Sequence, residues 1–241
     1  VVSLMHLRIM TMSMLQNNNN GISIQVGLSG YSFRLWNAGQ MTSASGWLSS
    51  ERIFTTPEFQ RRYDEVAVSV FTPKVALVPA QFFSPERAKE LLDDVVNIGV
   101  NDTVEFVEVP HLASVLVYSN AIGETLSRVI SETVLKLDGS KARLLPEMYY
   151  ILEQLPSMKE YNKILASYKD GYLYLVVAQG RTLLLCNAYQ AQDFTTAEYF
   201  IFLVMKKLQL NIEMSTIYFR TSLAEDEEIS LYRYFKNVEQ I

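Results

Sequence analysis

One order of β-rich and helix-forming segments occurs twice in the 241 residues, and this recurrence limits the architectures open to the chain. In the first pass, "ISIQVGL" and "YSFRLW" are β-rich runs split by Ser29-Gly30, a hairpin signal. "NAGQMTSASG" reads as a polar loop and "ERIFTT" as a third strand. "PEFQRRYDE" opens with proline and acid, as a short helix does. "VAVSVFTPKVALVP" is strand material with a proline break. In "SPERAKELLDDVVNIG", Ser84 can cap, Pro85 suits the first helical position, and Ala88, Leu91, Leu92, Val95 and Val96 share one face. "TVEFVEV" is a strand, and Pro110 opens helical material expected to continue to about Leu137.

After the break "LDGSKARLLP" the pattern restarts. "NKILASY", "YLYLVVA" and "RTLLLCNAY" are strands joined by the turns "KDG" and "QG". The helix "FTTAEYFIFLVMKKLQL" follows, with Thr195 and Glu198 at capping-box spacing. "STIYFRT" is a strand, and "EDEEISLYRYFKN" a last helix with acids first and Arg233 and Lys236 late, as the helix dipole prefers. The repeat lies in the order of elements rather than in residue identity, and it predicts a duplicated α/β unit. The expected divisions are an N-terminal arm and joint over 1–20, a first subdomain over 21–145 and a second over 146–241.

Composition narrows the function. Hydrophobic residues at 49% and charged residues at 20% supply a sizeable core and exclude a disordered chain. With a net charge of −5 and no cluster of basic residues larger than a pair such as Arg61–Arg62, nucleic acid is not an expected partner. The single cysteine, Cys186, excludes an internal disulfide and a cysteine-rich zinc site, and fits a reducing cytoplasm. The opening "VVSLMHLRIMTMSML" is interrupted by His6 and Arg8 and is too short to span a bilayer. It reads as an arm packed on the body or on a partner, with peripheral membrane contact as the second reading. It carries no initiator methionine, so the true start is expected upstream, and "QNNNN" marks a flexible joint.

The helix from Thr195 to Leu210 is apolar nearly all round, through Tyr199, Phe200, Ile201, Phe202, Leu203, Val204 and Met205. It is expected to lie between a sheet and a second layer at the seam of the halves, with an oligomer interface as the alternative. Phe200, Phe202, Leu203 and Met205 should then be mostly buried.

The stretches "ISIQVGLSGYSF", "VALVPAQFFSPERAKELL", "FVEVPHLASVL", "KDGYLYLVVAQGRTLLLCNAY" and "TTAEYFIFLVMKKLQLNIEMSTIYFRTS" resemble the actin-like ATPase superfamily. That superfamily includes actin, sugar kinases, heat-shock chaperones and the scaffolds of bacterial division, pilus and secretion machines. More closely, the chain resembles an uncharacterised bacterial family catalogued as a domain of unknown function with this fold. The similarity spans roughly 21–241. It implies an actin-like ATPase fold made of duplicated ribonuclease H-like subdomains with mixed sheets.

In that superfamily each half carries a hairpin with an aspartate for magnesium or water and a glycine turn whose N–H groups meet phosphate. Matched to the first pattern, this chain has Gln25-Val26-Gly27, with the acid replaced by an amide. In the second hairpin Ser167 takes the acid position and Lys169 the glycine position, while Asp170-Gly171 form a turn signal of their own. The paired glycines of the adenosine pocket would follow "STIYFRT", where the chain reads "SLAEDEE" and would repel a nucleotide. The resemblance therefore implies a degenerate member in which ATP hydrolysis is not expected. Backbone N–H groups at Gly27, Ser29 and Gly30, and the charge of Lys169, remain as candidates for anion or nucleotide binding. No catalytic residue or metal ligand is expected, and ATP with magnesium is not the favoured cofactor.

Other chemistries find no support in residue type and spacing. His6 and His111 have neither a metal-ligand pattern nor cysteine partners. "GLSG" lacks the last glycine of a nucleophile elbow and precedes a strand where the elbow needs a helix. Cys186 inside "TLLLCNAY" reads as a small buried hydrophobe, and Glu225–Glu228 as a solvated helix start rather than a calcium loop. Two function classes remain. One is a non-catalytic scaffold or protein-binding module that engages a protein partner or itself; the other is a nucleotide-binding protein or kinase-like ATPase with atypical site residues.

Overall fold

The computed structural model describes residues 19–119 and 124–241. The apolar arm over 1–15 lies outside the described residues, as does most of the "QNNNN" joint. In chain order the strands are β1 (Asn20–Val26), β2 (Gly30–Asn37), β3 (Gln40–Ala44), β4 (Leu48–Ser49), β5 (Glu65–Val70), β6 (Val75–Pro79), β7 (Val104–Val109), β8 (Ser114–Ser119), β9 (Leu144–Pro146), β10 (Asn162–Lys169), β11 (Tyr172–Gln179), β12 (Thr182–Gln190), β13 (Thr216–Phe219) and β14 (Asn237–Gln240). The helices are α1 (Ala88–Asp93), α2 (Glu124–Thr133), α3 (Glu147–Gln154), α4 (Phe194–Lys207) and α5 (Glu225–Tyr232). These elements form two compact units, one from residues 19–71 and 124–145, the other from 72–119 and 146–241. Residues 72–119, allotted on sequence to the first half, belong to the second unit.

The first unit is a sheet of order β3-β2-β1-β5-β9, with β4 paired to the start of β2. β1, β2 and β3 make an antiparallel meander, and β5 runs parallel to β1. Ile22, Ile24 and Val26 alternate along β1 into a core with Val66, Val68, Phe33 and Phe59, closed by Ile130 and Val134 of α2 and the segment after it. The third strand is not "ERIFTT". Ser50–Thr55 is a 3-10 turn, and the strand comes from the polar stretch before it. All five residues of β3 are exposed on the sheet edge, so no apolar alternation marks it.

The second unit repeats that order as β12-β11-β10-β13-β14. Its first three strands form an antiparallel meander, β13 is parallel to β10, and β14 is parallel to β13. The expected meander in each half is therefore present. A further sheet, β6-β8-β7, packs α1 on the face carrying Ala76, Val78, Val104, Val115 and Val117. The helix expected from Pro110 to Leu137 is instead a 3-10 turn, the strand β8 and α2. β8 is central and buried on both faces, so its continuous apolar run carries no period to separate strand from helix.

On the five-stranded sheet, α4 and α5 cover the face of Ile164, Ala166, Leu173, Leu175, Val177, Ile217 and Phe219. α4 starts from Asp193, whose carboxylate accepts from Thr196 N at 2.7 Å, two residues before the expected cap. Its burial is one-sided. Ala197, Ile201, Val204 and Met205 are buried, Phe200, Phe202 and Leu203 only half-buried, and Tyr199 is 60% exposed. The aromatics cover the flanks of the helix: Phe200 stacks on Tyr189 and Phe202 meets Tyr234.

Candidate functional site

The hairpin between β1 and β2 turns through Gly27, Leu28 and Ser29. The Gly27 N–H donates to the Gly30 carbonyl at 2.9 Å, and the Ser29 carbonyl accepts from Ser50 N at 3.1 Å. The Gly27 donor thus points into the turn rather than at a ligand. Gly30 is glycine for a steric reason: a Cβ there would stand 2.1 Å from the Leu48 carbonyl oxygen and 2.7 Å from Trp47 Nε1. β4 lies directly against it, pairing Ser49 with Gly30. Leu28, at the tip, is 57% exposed. Gln25 is buried beneath this turn, its Oε1 3.5 Å from Ser32 Oγ.

In the second hairpin Asp170 and Gly171 have φ of 51° and 76° and join β10 to β11 as a two-residue turn with both central residues left-handed. Such a turn suits the twist of the two strands, and it accounts for this pair as hairpin chemistry. Lys169 is half-buried beside it. Burial lowers its pKa, while the carboxylates of Asp170 and Glu227 act the other way. The cation therefore sits in an acidic neighbourhood that opposes phosphate.

Ser167 is fully buried and donates from Oγ to Glu147 Oε1 at 2.6 Å. The same oxygen accepts from Arg220 Nε at 2.9 Å. Glu147 opens α3 after Pro146, and Arg220 follows β13 directly. The guanidinium also lies 5.4 Å from the centre of the Tyr150 ring. Burial, with the Glu147 charge adding to it, holds the nearby Tyr174 phenol well above its ordinary range. Glu147 and Arg220 are the residues that sequence reasoning missed. The signals were a Pro-Glu helix start in "LLPEMYY" and a lone arginine closing "IYFR".

At the position that the resemblance matches to a first carboxylate stands Gln25, a neutral amide that offers a hard divalent cation no charge. At the position it matches to a second stands Ser167, a hydroxyl committed to a buried ion pair. Among the described residues, no three His, Cys, Asp or Glu side chains converge as a metal site requires. Burial pushes the Cys186 thiol up to about 12, which makes it a poor nucleophile. No described helix is long and apolar enough to cross a membrane.

His111 lies in the turn between β7 and β8, outside both hairpins. Its Nε2 is 3.1 Å from the Leu152 carbonyl oxygen and its Nδ1 is 3.4 Å from Glu153 Oε1. Burial lowers the His111 pKa, with Lys163 adding to that, and burial raises the Glu153 pKa. Both shifts favour the neutral forms of the two side chains over the ionised ones.

Solved structures of low sequence identity share this architecture. A Bacteroides thetaiotaomicron protein of actin-like ATPase fold and unknown function superposes with a TM-score of 0.66 at 16% identity, over 93% of this chain and 91% of its own. The PilM–PilN type IV pilus biogenesis complex includes a chain that matches with a TM-score of 0.52 at 10% identity, over 93% of this chain and 89% of its own. The chain therefore has the actin-like ATPase fold. No curated protein matches it. The model of the DUF3822 family, proteins of unknown function, matches residues 10–238, and the chain belongs to that family.

Proposed function

We propose that this chain is a non-catalytic scaffold of actin-like fold that binds protein and has no use for ATP or magnesium. The observation that carries this reading is the commitment of Ser167 to Glu147 and Arg220 at the place of the second carboxylate. Phosphoryl transfer depends on positioned metal and donors that neutralise charge. Here one carboxylate position is an amide and the other is closed by an internal cation. The Gly27 to Gly30 turn supports the same reading, because its first N–H is spent inside the turn and its tip is apolar. The fold also serves assembly elsewhere, as in the pilus biogenesis complex named above.

The test is ATP turnover and ATP, ADP and magnesium binding by the purified chain, alongside Gln25→Asp. The expected result is no turnover in either protein, since restoring one carboxylate leaves the second position sealed. Magnesium-dependent turnover by the unmodified chain overturns the scaffold reading and favours the kinase-like alternative.

A further inference from the structure

The outer surface of α4 and α5 is polar at both ends, with opposite signs, and apolar in the middle. β10, β13 and β14 run parallel, and β12 shares their direction through two antiparallel steps. The helices that return from β12 to β13 and from β13 to β14 therefore run parallel to each other, and their buried residues enter the same core cluster. Their starts both lie within electrostatic reach of Tyr168, which Asp193 and Glu227 each act on, and there Asp193, Glu225, Asp226 and Glu228 are exposed. At the other end Lys206, Lys207, Arg233 and Lys236 are exposed. Between the ends, Tyr199 and Leu203 follow at i and i+4 on α4, and Ile229 stands between Glu225 and Arg233 on α5. Tyr199 is 60%, Ile229 50% and Tyr234 48% exposed, with the Tyr234 ring against half-buried Phe202.

We infer that this surface is the isologous interface of a homodimer. A two-fold axis perpendicular to the helices lays the acidic end of one copy on the basic end of the other, twice, with the apolar strip between them excluded from water. Isologous contact requires such self-complementarity: if i meets j, then j meets i. The charges set register and orientation and the apolar centre supplies the affinity. The occupant is a second copy of this chain because the patch carries its own complement. The inference goes beyond the scaffold reading and stands whether or not nucleotide binds.

Sedimentation velocity on the full chain over a concentration series tests it, with four proteins compared. The unmodified chain is expected to dimerise, less so at high salt. Leu203→Glu is expected to be monomeric. Lys206→Glu with Lys207→Glu, and separately Glu225→Lys with Asp226→Lys, each place like charges together and weaken the homodimer by about tenfold or more. Glu227 is left in place because its side chain accepts from Ala224 N and holds the helix start. Mixing the two charge-reversed chains sets an unmodified acidic end on an unmodified basic end at one of the two contacts, so a heterodimer stronger than either variant homodimer is expected. Circular dichroism checks that each variant is folded. An unmodified chain that stays monomeric overturns the inference. So do folded charge variants that dimerise as the unmodified chain does, or a mixture that regains nothing.

Discussion

Arg220 Nε stands 2.9 Å from Glu147 Oε1, with side-chain exposures of 9% and 0%. Removing one member of such a pair strands a charge where water does not reach, at a cost of about 3–5 kcal/mol. Glu147→Ala and Arg220→Met are each expected to lose about that much in urea denaturation. Glu147→Leu combined with Arg220→Met is expected to recover most of it, because the pair then leaves the core together. Single losses below ~1 kcal/mol would mean that the ion pair does not seal the core.

The His111–Glu153 pair gives stability two opposing dependences on pH. The His111 pKa in the folded chain lies below its ordinary 6.5, so the unfolded chain takes up the proton first and stability falls as pH drops below 6.5. The Glu153 pKa lies above its ordinary 4.5, so the folded chain holds its proton longer and stability falls as pH rises from 4.5 through the raised value. Glu153→Gln keeps a neutral group facing Nδ1 and abolishes the second dependence. Relative to the unmodified chain it should gain stability with rising pH above about 5, read from urea midpoints between pH 4 and 8. A loss over that range would show an ionised pair.

Gly30→Ala should be costly in a way that Gly46→Ala is not. The new methyl meets backbone at Gly30 and nothing within 4 Å at Gly46. Relief requires β4 or the turn to shift, and overpacking of this kind costs about 1–3 kcal/mol. Thermal melts of the two variants, side by side, should separate them by several degrees. Equal melting points would show that the turn yields without loss.

Phe202 is a flank residue, and its truncation should reflect that. Phe202→Ala leaves the rings of Tyr234 and Phe235 in place and should cost about 1–2 kcal/mol, while Ile201→Ala, from full burial, should cost about 2–5. Chemical denaturation orders the two. The reverse order would place Phe202 in the core after all.

The fold was legible where turns bound each apolar run, and illegible where they do not. β10 and β11 are buried on both faces just as β8 is, yet they and β12 could be read because the turns at Asp170-Gly171 and at Gly180 bound each apolar run. β3 could not, since a polar edge strand looks like a loop, and β8 could not, since a strand buried on both faces looks like a helix segment. Gln25 and Ser167 are matched to carboxylate positions by resemblance alone. The partners that hold Ser167 were not legible. Glu147 is twenty residues before Ser167 in the chain, Arg220 is further still in the other direction, and no local pattern links charges that meet only after the sheet forms. α4 misled for a related reason: its apolar count is high because aromatics lie along its flanks, which sequence cannot tell from a second layer.

The first unit is interrupted by the strands and helix of residues 72–119 and completed only by residues 124–145. On a ribosome, β1 to β5 emerge first, yet β9 and the α2 side chains that close their core arrive after β6 to β8 have been made. The nascent first sheet must therefore wait, with one edge unpaired and Ile22, Ile24 and Val68 uncovered, until translation has passed residue 146. The excursion itself waits longer, for the five-stranded sheet encoded after it. Such long-range closure slows folding and exposes edges. Synthesis order thus sets how long the apolar face of the first sheet stays uncovered.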